Sequence, residues 1–372
     1  MVDDIITALS RFKTFAVIAR NSSFQYKGRA VDVRDVAREL GVQYVLEGSV
    51  RKAGNRLRVV AQLVDGASAT HHWAETYDGT LDDVFEVQDR ITSSVAALVE
   101  PRLRTAEIER ARRKPPASLG AYDLLLRGLP RYWISTPDTN AEAYDLFMQA
   151  VALEPGYSLA LVHAALTLML RIVLGWPPRT ADDRATAIDL ADRALAGTDN
   201  DAVVMMLGAL ILLQVGRQYD RGMALMRQAV NLNPNNIQVM GTAGICCIHA
   251  GDLQESLRLS RRAIELSPID ANAHWPLTAI SHAYMALGEY EEALRWAERS
   301  HAANSDYDCT YWMLIAANAQ LGRMDVAKHW LKRFRADHPE MTVSRIRVGQ
   351  PDKDPSRMAA ILEGLRLAGL PE

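Results

Sequence analysis

A chain of 372 residues has room for two or three domains. With 49% apolar and 23% charged residues it can build a real globular core, and a formal net charge of −3 excludes both the basic surface of a nucleic-acid binder and a repelling acidic tail. Three cysteines, Cys246, Cys247 and Cys309, make neither a disulfide framework nor a zinc spacing, so free thiols in a reducing cytoplasm are expected.

The N-terminus has no basic stretch leading into an apolar core, which argues against a signal peptide. The long apolar run LALVHAALTLMLRIVLGW carries His163 and Arg171 and falls short of a membrane span. The opening MVDDIITALSRF instead reads as a helix. Asp3 and Asp4 favour its N-terminus, and Ile5, Ile6, Leu9 and Phe12 repeat along one face. TFAVIAR follows as a short strand candidate, then the polar NSSFQYKGR. Asp32 is the expected N-cap of a helix whose face carries Val33, Val36, Ala37 and Leu40, with Gly41 as its left-handed stop. Further on, Leu57, Val59, Ala61 and Leu63 alternate with Arg56, Arg58, Val60 and Gln62, as in a half-buried strand. Gly54-Asn55 between two such runs signals a hairpin. Residues 1–80 therefore predict a small α/β domain with an antiparallel sheet.

From 81 to 117 the pattern is helical, with Val84, Phe85, Ile91, Val95 and Leu98 as the apolar set and a charged end closing on Pro115-Pro116. A connecting helix is expected. Its Arg110, Arg112, Arg113 and Lys114 read as solvated surface, because Glu107 and Glu109 dilute the charge.

Beyond residue 118 the chain repeats. GRQYDRGMALMRQAVNLNP, GDLQESLRLSRRAIELSP, GEYEEALRWAERSHAANS and GRMDVAKHWLKRFRADHP each begin at a turn glycine, run an amphipathic helix and stop 17 or 18 residues later. Pro234 and Pro268 are 34 apart, as are Gly288 and Gly322. Thirty-four residues with two helices per unit is the tetratricopeptide spacing. Ala143, Ala150, Ala293 and Ala297 let neighbouring helices close to about 8–10 Å, while Phe147 and Met226 fill the grooves between. One unit cannot bury its own apolar face, so several must stack. About six pairs are expected over 118–339, near 118–155, 156–199, 200–234, 235–268, 269–304 and 305–339, with WPPRTADD lengthening the loop of the second. Residues 340–372 are expected as a tail with a solitary capping helix, DPSRMAAILEGLRLAGL.

The helical part resembles tetratricopeptide proteins over roughly 220 residues. It departs from them at Ser256 and Ser260, where Ala and a large apolar residue are usual. The first hundred residues, through VDDIITALSRF, VIARNSSFQYKGRAVDVRDVARELGVQYVLEGSVRKAGNRLRVVAQLVD and HHWAETYDGTLDDVFEVQDRI, resemble the TolB amino-terminal-type domain. In bacteria that domain joins tetratricopeptide repeats in class III adenylate/guanylate cyclase-like proteins and CadC-like winged-helix regulators. The closing DPSRMAAILEGLRLAGLPE is similar to the end of those chains. The resemblance implies a VLPF-type strand before the first helix, together with an upstream cyclase or DNA-binding module. Met1 falls just before that helix, so an N-terminally truncated domain is expected, with a sheet open to self-association. The expected fold is mainly α: a right-handed tetratricopeptide solenoid preceded by this small α/β domain.

Catalytic chemistry is not legible. Asp82-Asp83 and Asp182-Asp183 stand at helix starts, where capping explains them. His71 and His72 would point to opposite faces of a strand, and His249, His274 and His282 lie on different helices with no ligand spacing. There is no Gly-rich phosphate loop, and Cys246-Cys247 read as packing. No catalytic residue, cofactor or metal is expected. The first helix of each unit faces the concave side, where the register puts Gln214, Gln238, His249, Trp275, His282, Trp312 and Gln320 as a groove for a protein or peptide segment. The competing reading buries Trp275 and Trp312 between units. The expected function is a cytoplasmic, non-enzymatic scaffold in bacterial signalling, without nucleic acid or membrane. The alternatives are the sensory half of an adenylate cyclase catalysed elsewhere and the effector half of a transcription regulator.

Overall fold

The computed structural model describes residues 1–29, 31–115, 118–134, 136–267, 273–350 and 353–372. Pro116 and the repeat stop Pro268 lie outside the described residues. The chain divides into two compact units, Met1–Arg113 and Lys114–Glu372.

The first unit runs α1 (Val2–Leu9), α2 (Arg20–Phe24), α3 (Val33–Leu40), β1 (Tyr44–Ala53), β2 (Arg56–Asp65), β3 (His71–Thr80) and α4 (Val84–Arg113). The strands form an antiparallel sheet in the order β1-β2-β3. Local chemistry sets the boundaries. Asp32 accepts from the Arg34 amide to start α3, and Gly41, at φ 63, ends it. Gly54 takes the first central position of the β1–β2 turn at φ 59, where a side chain would be strained. Leu57, Val59, Ala61 and Leu63 then share one buried face of β2, and Ile91, Val95, Ala96 and Val99 of α4 share a core with it. Ala8, Leu9 and Phe12 join the same core, which is what the apolar face of α1 lies against.

Two expectations need correcting. TFAVIAR forms no strand: residues 16–19 have no assigned element and Arg20 opens α2. Its alternation is nonetheless real, since Phe15 and Val17 pack towards the core while Ala16 and Ile18 face out. Extended chain gives that period whether or not a ladder partner exists. The second correction concerns residues 81–117. Helix α4 is no connector; it supplies a large share of the first unit's core, because its apolar positions recur at helical spacing opposite the sheet.

The second unit opens with α5 (Ala121–Ile134), α6 (Pro137–Leu153), α7 (Ser158–Leu174), α8 (Asp183–Gly197), α9 (Ala202–Gln214) and α10 (Tyr219–Leu232). It continues with α11 (Ile237–Ala250), α12 (Leu253–Leu266), α13 (His274–Leu287), α14 (Tyr290–Ala303), α15 (Asp308–Gln320) and α16 (Met324–Asp337). Then come α17 (Val343–Gly349), a 3-10 turn at Pro355–Met358 and α18 (Ala359–Ala368). Consecutive helices pack in pairs, and the first helices α7, α9, α11, α13 and α15 touch one another in succession. The result is a tetratricopeptide-like array. Asp182, Asp201, Asn236 and Asp252 cap helix starts, so the Asp182-Asp183 pair is structural: Asp183 also accepts from the amides of Arg179 and Thr180. Gly288 and Gly322 both take left-handed φ, at 77 and 75, at the same place in their pairs.

Ala143, Ala150, Ala293 and Ala297 are fully buried, as close approach demands. Ser256 and Ser260 are buried too, and the Ser260 hydroxyl fills the space that a side chain at Gly244 would need. Among the described residues no helix is long and apolar enough to cross a membrane.

Ile91 is 0% exposed in the first unit. Ile91→Ala should cost that unit about 2–5 kcal/mol. Hydrogen exchange should show the loss in residues 1–113 while amides of α7–α16 keep their protection; equal loss across both units would refute this division of the core.

Candidate functional site

In three of the repeated pairs the residue two places before the turn glycine is polar: Gln214 before Gly216, His249 before Gly251 and Gln320 before Gly322. In the pair that turns at Gly288 that place holds Ala286, and His282, one turn earlier on α13, supplies the polar group. First helices of a stacked array repeat the same face, so a position fixed relative to the turn recurs as a row. The chain's own C-terminal residues cover this row.

The contact starts at the end of α11. Its last carbonyls have no partner within the helix, and the Lys353 amide donates to the His249 carbonyl at 3.1 Å. Asp354 then caps the 3-10 turn by accepting from the Ser356 amide at 2.9 Å. That turn carries Arg357 inwards, where it is 4% exposed. Its Nη1 donates to His282 Nε2 at 2.7 Å and its Nη2 to His249 Nδ1 at 2.9 Å.

An imidazole that accepts from a guanidinium must be neutral, so the ring proton sits on His282 Nδ1 and on His249 Nε2. His249 Nε2 in turn lies 3.0 Å from Gln214 Nε2, so with the ring proton on His249 Nε2 the Gln214 amide must turn over to present its oxygen. Burial, together with the charge of Arg357 and the neighbouring His249, holds His282 well below the ordinary histidine range.

Past the turn, Met358, Ile361, Leu365 and Ala368 are buried with residues of α13, α15 and α16. Gln320 Nε2 donates to the Ala360 carbonyl at 2.8 Å. Gly364 lets α18 sit directly on α15: a Cβ there would stand 2.6 Å from Ala316 Cα. The Pro371 carbonyl accepts from the Val343 amide at 2.8 Å, which returns the chain end to α17. Lys353 also reaches Asp220 at 2.9 Å, but that pair is exposed and contributes little.

The expected groove residues therefore separate. Gln214, His249, His282 and Gln320 come together beneath the C-terminal segment. They were expected as an open wall and are instead covered, because an amphipathic last helix finds its apolar partner on α15. Trp312 is a correction: at 3% exposure it belongs to the core of the last pairs, not to a groove surface. Trp275 is half-buried and stacks on Tyr307, with ring centroids 6.3 Å apart. Gln238 is exposed.

Sequence reasoning missed Arg357, Lys353 and Gly364. The signal was present: Arg357 stands four residues before Ile361 and eight before Leu365, so one charge lies in line with an apolar stripe. Burial raises the Cys247 thiol to about 12 and that of Cys246 well above its usual value, as in packed cysteines. Among the described residues no group of three His, Cys, Asp or Glu could hold a metal ion. What the geometry does is hold the C-terminal segment, by the His249 carbonyl, two neutral imidazoles, the Gln320 amide and an apolar strip.

No family model matches the chain. Over 197 residues it is 40% identical to a Rhizobium meliloti (strain 1021) protein named "Putative adenylate cyclase 3"; the match takes in 52% of this chain and 33% of that protein. The chain thus spans about a third of the relative's length. Among solved structures it is similar to a monomeric mutant of IFIT1 with Gppp-AAAA, at TM-score 0.52, 11% identity, and coverage of 76% of this chain and 69% of that one. That likeness concerns the fold. A tetratricopeptide repeat protein from Parabacteroides merdae ATCC 43184 aligns at TM-score 0.45 and 15% identity over 76% of this chain and 98% of that one.

Two outcomes check this geometry. His282 is neutral in the docked state and its folded value lies below 6.5. The stability it contributes is thus complete above about pH 6.5 and is lost as pH falls below that, up to about tenfold per pH unit for one proton. Hydrogen exchange of residues 353–370, corrected for intrinsic rate, should be flat above neutrality and speed up towards pH 5 ahead of α7–α10. A profile without pH dependence would sink the neutral-imidazole assignment. Separately, Trp312→Ala should cost about 3–5 kcal/mol in urea unfolding, as for other buried aromatics, and Trp275→Ala clearly less. Equal losses would contradict the core assignment of Trp312.

Proposed function

We propose that the chain is a non-catalytic protein-interaction scaffold whose first-helix row receives a protein segment, acting in bacterial signalling on the cytoplasmic side. One observation carries the reading: the row already holds a segment, residues 353–370, through the His249 carbonyl, the Arg357 clamp and the Gln320 amide. The likeness to the Rhizobium meliloti protein supports a link to cyclase-bearing chains, and in this reading the first unit is their TolB amino-terminal-type companion domain. Open strands β1 and β3 give that unit edges on which a second copy can pair. The second reading, the regulatory half of an adenylate cyclase, draws on the same likeness and differs in requiring a catalytic domain elsewhere.

The test keeps the chain whole until the last step. A protease site is inserted between Gln350 and Lys353, the purified protein is cut, and a fluorescent synthetic peptide of residues 353–372 is added. Saturable uptake, competed by the unlabelled peptide, is expected. If no peptide exchanges while the cut protein stays folded, the row is closed core and the scaffold reading fails. The uncut protein with ATP or GTP and magnesium or manganese should form no cyclic nucleotide. Turnover that scales with protein concentration would overturn the non-catalytic assignment.

A further inference from the structure

We propose that residues 353–370 act as an internal stand-in for the scaffold's partner. The partner segment is then a short helix with one arginine in line with an apolar face, and it binds by displacing this tail. The inference rests on the scaffold reading above and adds to it the chemistry of the partner and a closed resting state.

Three features of the contact support a ligand-like role. First, part of it is blind to side chains. The His249 carbonyl and the Gln320 amide bond the backbone of the segment at Lys353 and Ala360, as a receptor treats any chain of the right path.

Second, selectivity is concentrated in one charged group. Arg357 loses water and meets two neutral imidazoles, His249 and His282. A segment without the guanidinium would give up both of these bonds. The contact therefore discriminates among segments through this one group. Lysine is no substitute, because its three N–H groups all leave from one nitrogen, whereas the guanidinium offers Nη1 to one ring and the separate Nη2 to the other.

Third, Gly364 sets a steric filter. The ligand helix must carry a glycine seven residues after its arginine, where α18 meets Ala316, with apolar residues at the places of Met358, Ile361, Leu365 and Ala368. The solvent-facing residues of α18, such as Glu363 and Leu367, are free to vary.

The cut protein and peptides of residues 353–372 test this directly. A peptide keeping Arg357, Met358, Ile361, Gly364, Leu365 and Ala368 but with Glu363 and Leu367 replaced should bind within about threefold of the native one. Peptides with Arg357→Ala or Arg357→Lys should bind at least about tenfold more weakly, and Gly364→Leu should abolish binding. The uncut chain should take up the native peptide at least about tenfold less than the cut one, and the uncut Arg357→Ala chain should recover uptake.

The outcomes separate cleanly. Native peptide binding with no loss in the Arg357→Ala and Gly364→Leu peptides overturns the proposed code and leaves the scaffold standing. Equal uptake by cut and uncut protein overturns the closed resting state. Absence of any peptide binding removes the scaffold reading with it. Should the Arg357→Ala chain fail to fold, the peptide series alone decides the code and the cut-against-uncut comparison decides closure.

Discussion

A helix pair has more apolar surface than it can hide by itself, and everything in the second unit follows from that excess. Each pair covers its neighbour. Fully buried Ala143, Ala150, Ala293 and Ala297 mark where backbones must come close, and Phe147 occupies the gap beside Gly128, whose missing side chain makes room for the ring. The last pair has no successor, so the debt falls on α15, and α18 settles on it. A stacked array thus needs a cover for its end, and this chain draws that cover from its own sequence. The segment that reaches α15 has to pass α11 and α13 first, and on that path it meets His249 and His282. A requirement of packing becomes an encounter with polar side chains.

Much of this was legible in the sequence because it depends on neighbours a few residues apart. Asp32 and Gly41 bracket α3, Gly54 turns the hairpin, and the 34-residue interval from Gly288 to Gly322 marks equivalent helix ends. Those signals are local chemistry repeated. The alternation in β2 predicted its buried face residue by residue for the same reason. TFAVIAR shows the limit of that logic: alternating burial reports an extended chain over a core, and hydrogen-bond pairing depends on a distant strand that the pattern does not contain.

The site divides along the same line. The helical register put Gln214, His249 and Gln320 at one place relative to the turn glycine and His282 one turn earlier, and of these side chains the tail reaches His249, Gln320 and His282. The register could not show that the row is covered, because the covering residue Arg357 lies 75 positions from His282 and 108 from His249. Composition gives no clue to such a contact. Trp275 and Trp312 were indistinguishable as letters. Only packing separates them: one stacks half-buried on Tyr307, while the other is sealed among α13, α15 and α18. The mistaken connector, α4, has the same origin, for a helix with a charged end looks like a spacer until the sheet it lies on is known.

The bond from the Lys353 amide to the His249 carbonyl has a meaning for α11 itself. That carbonyl belongs to the final turn, which Gly251 closes in the left-handed conformation, and the tail supplies a donor that the helix lacks. The end of α11 and the beginning of the tail are thus joined by one backbone bond between two distant stretches of chain. Loosening either side frays the other. The tail at Lys353 thereby touches the middle of the array directly, with no need of the intervening helices to connect them.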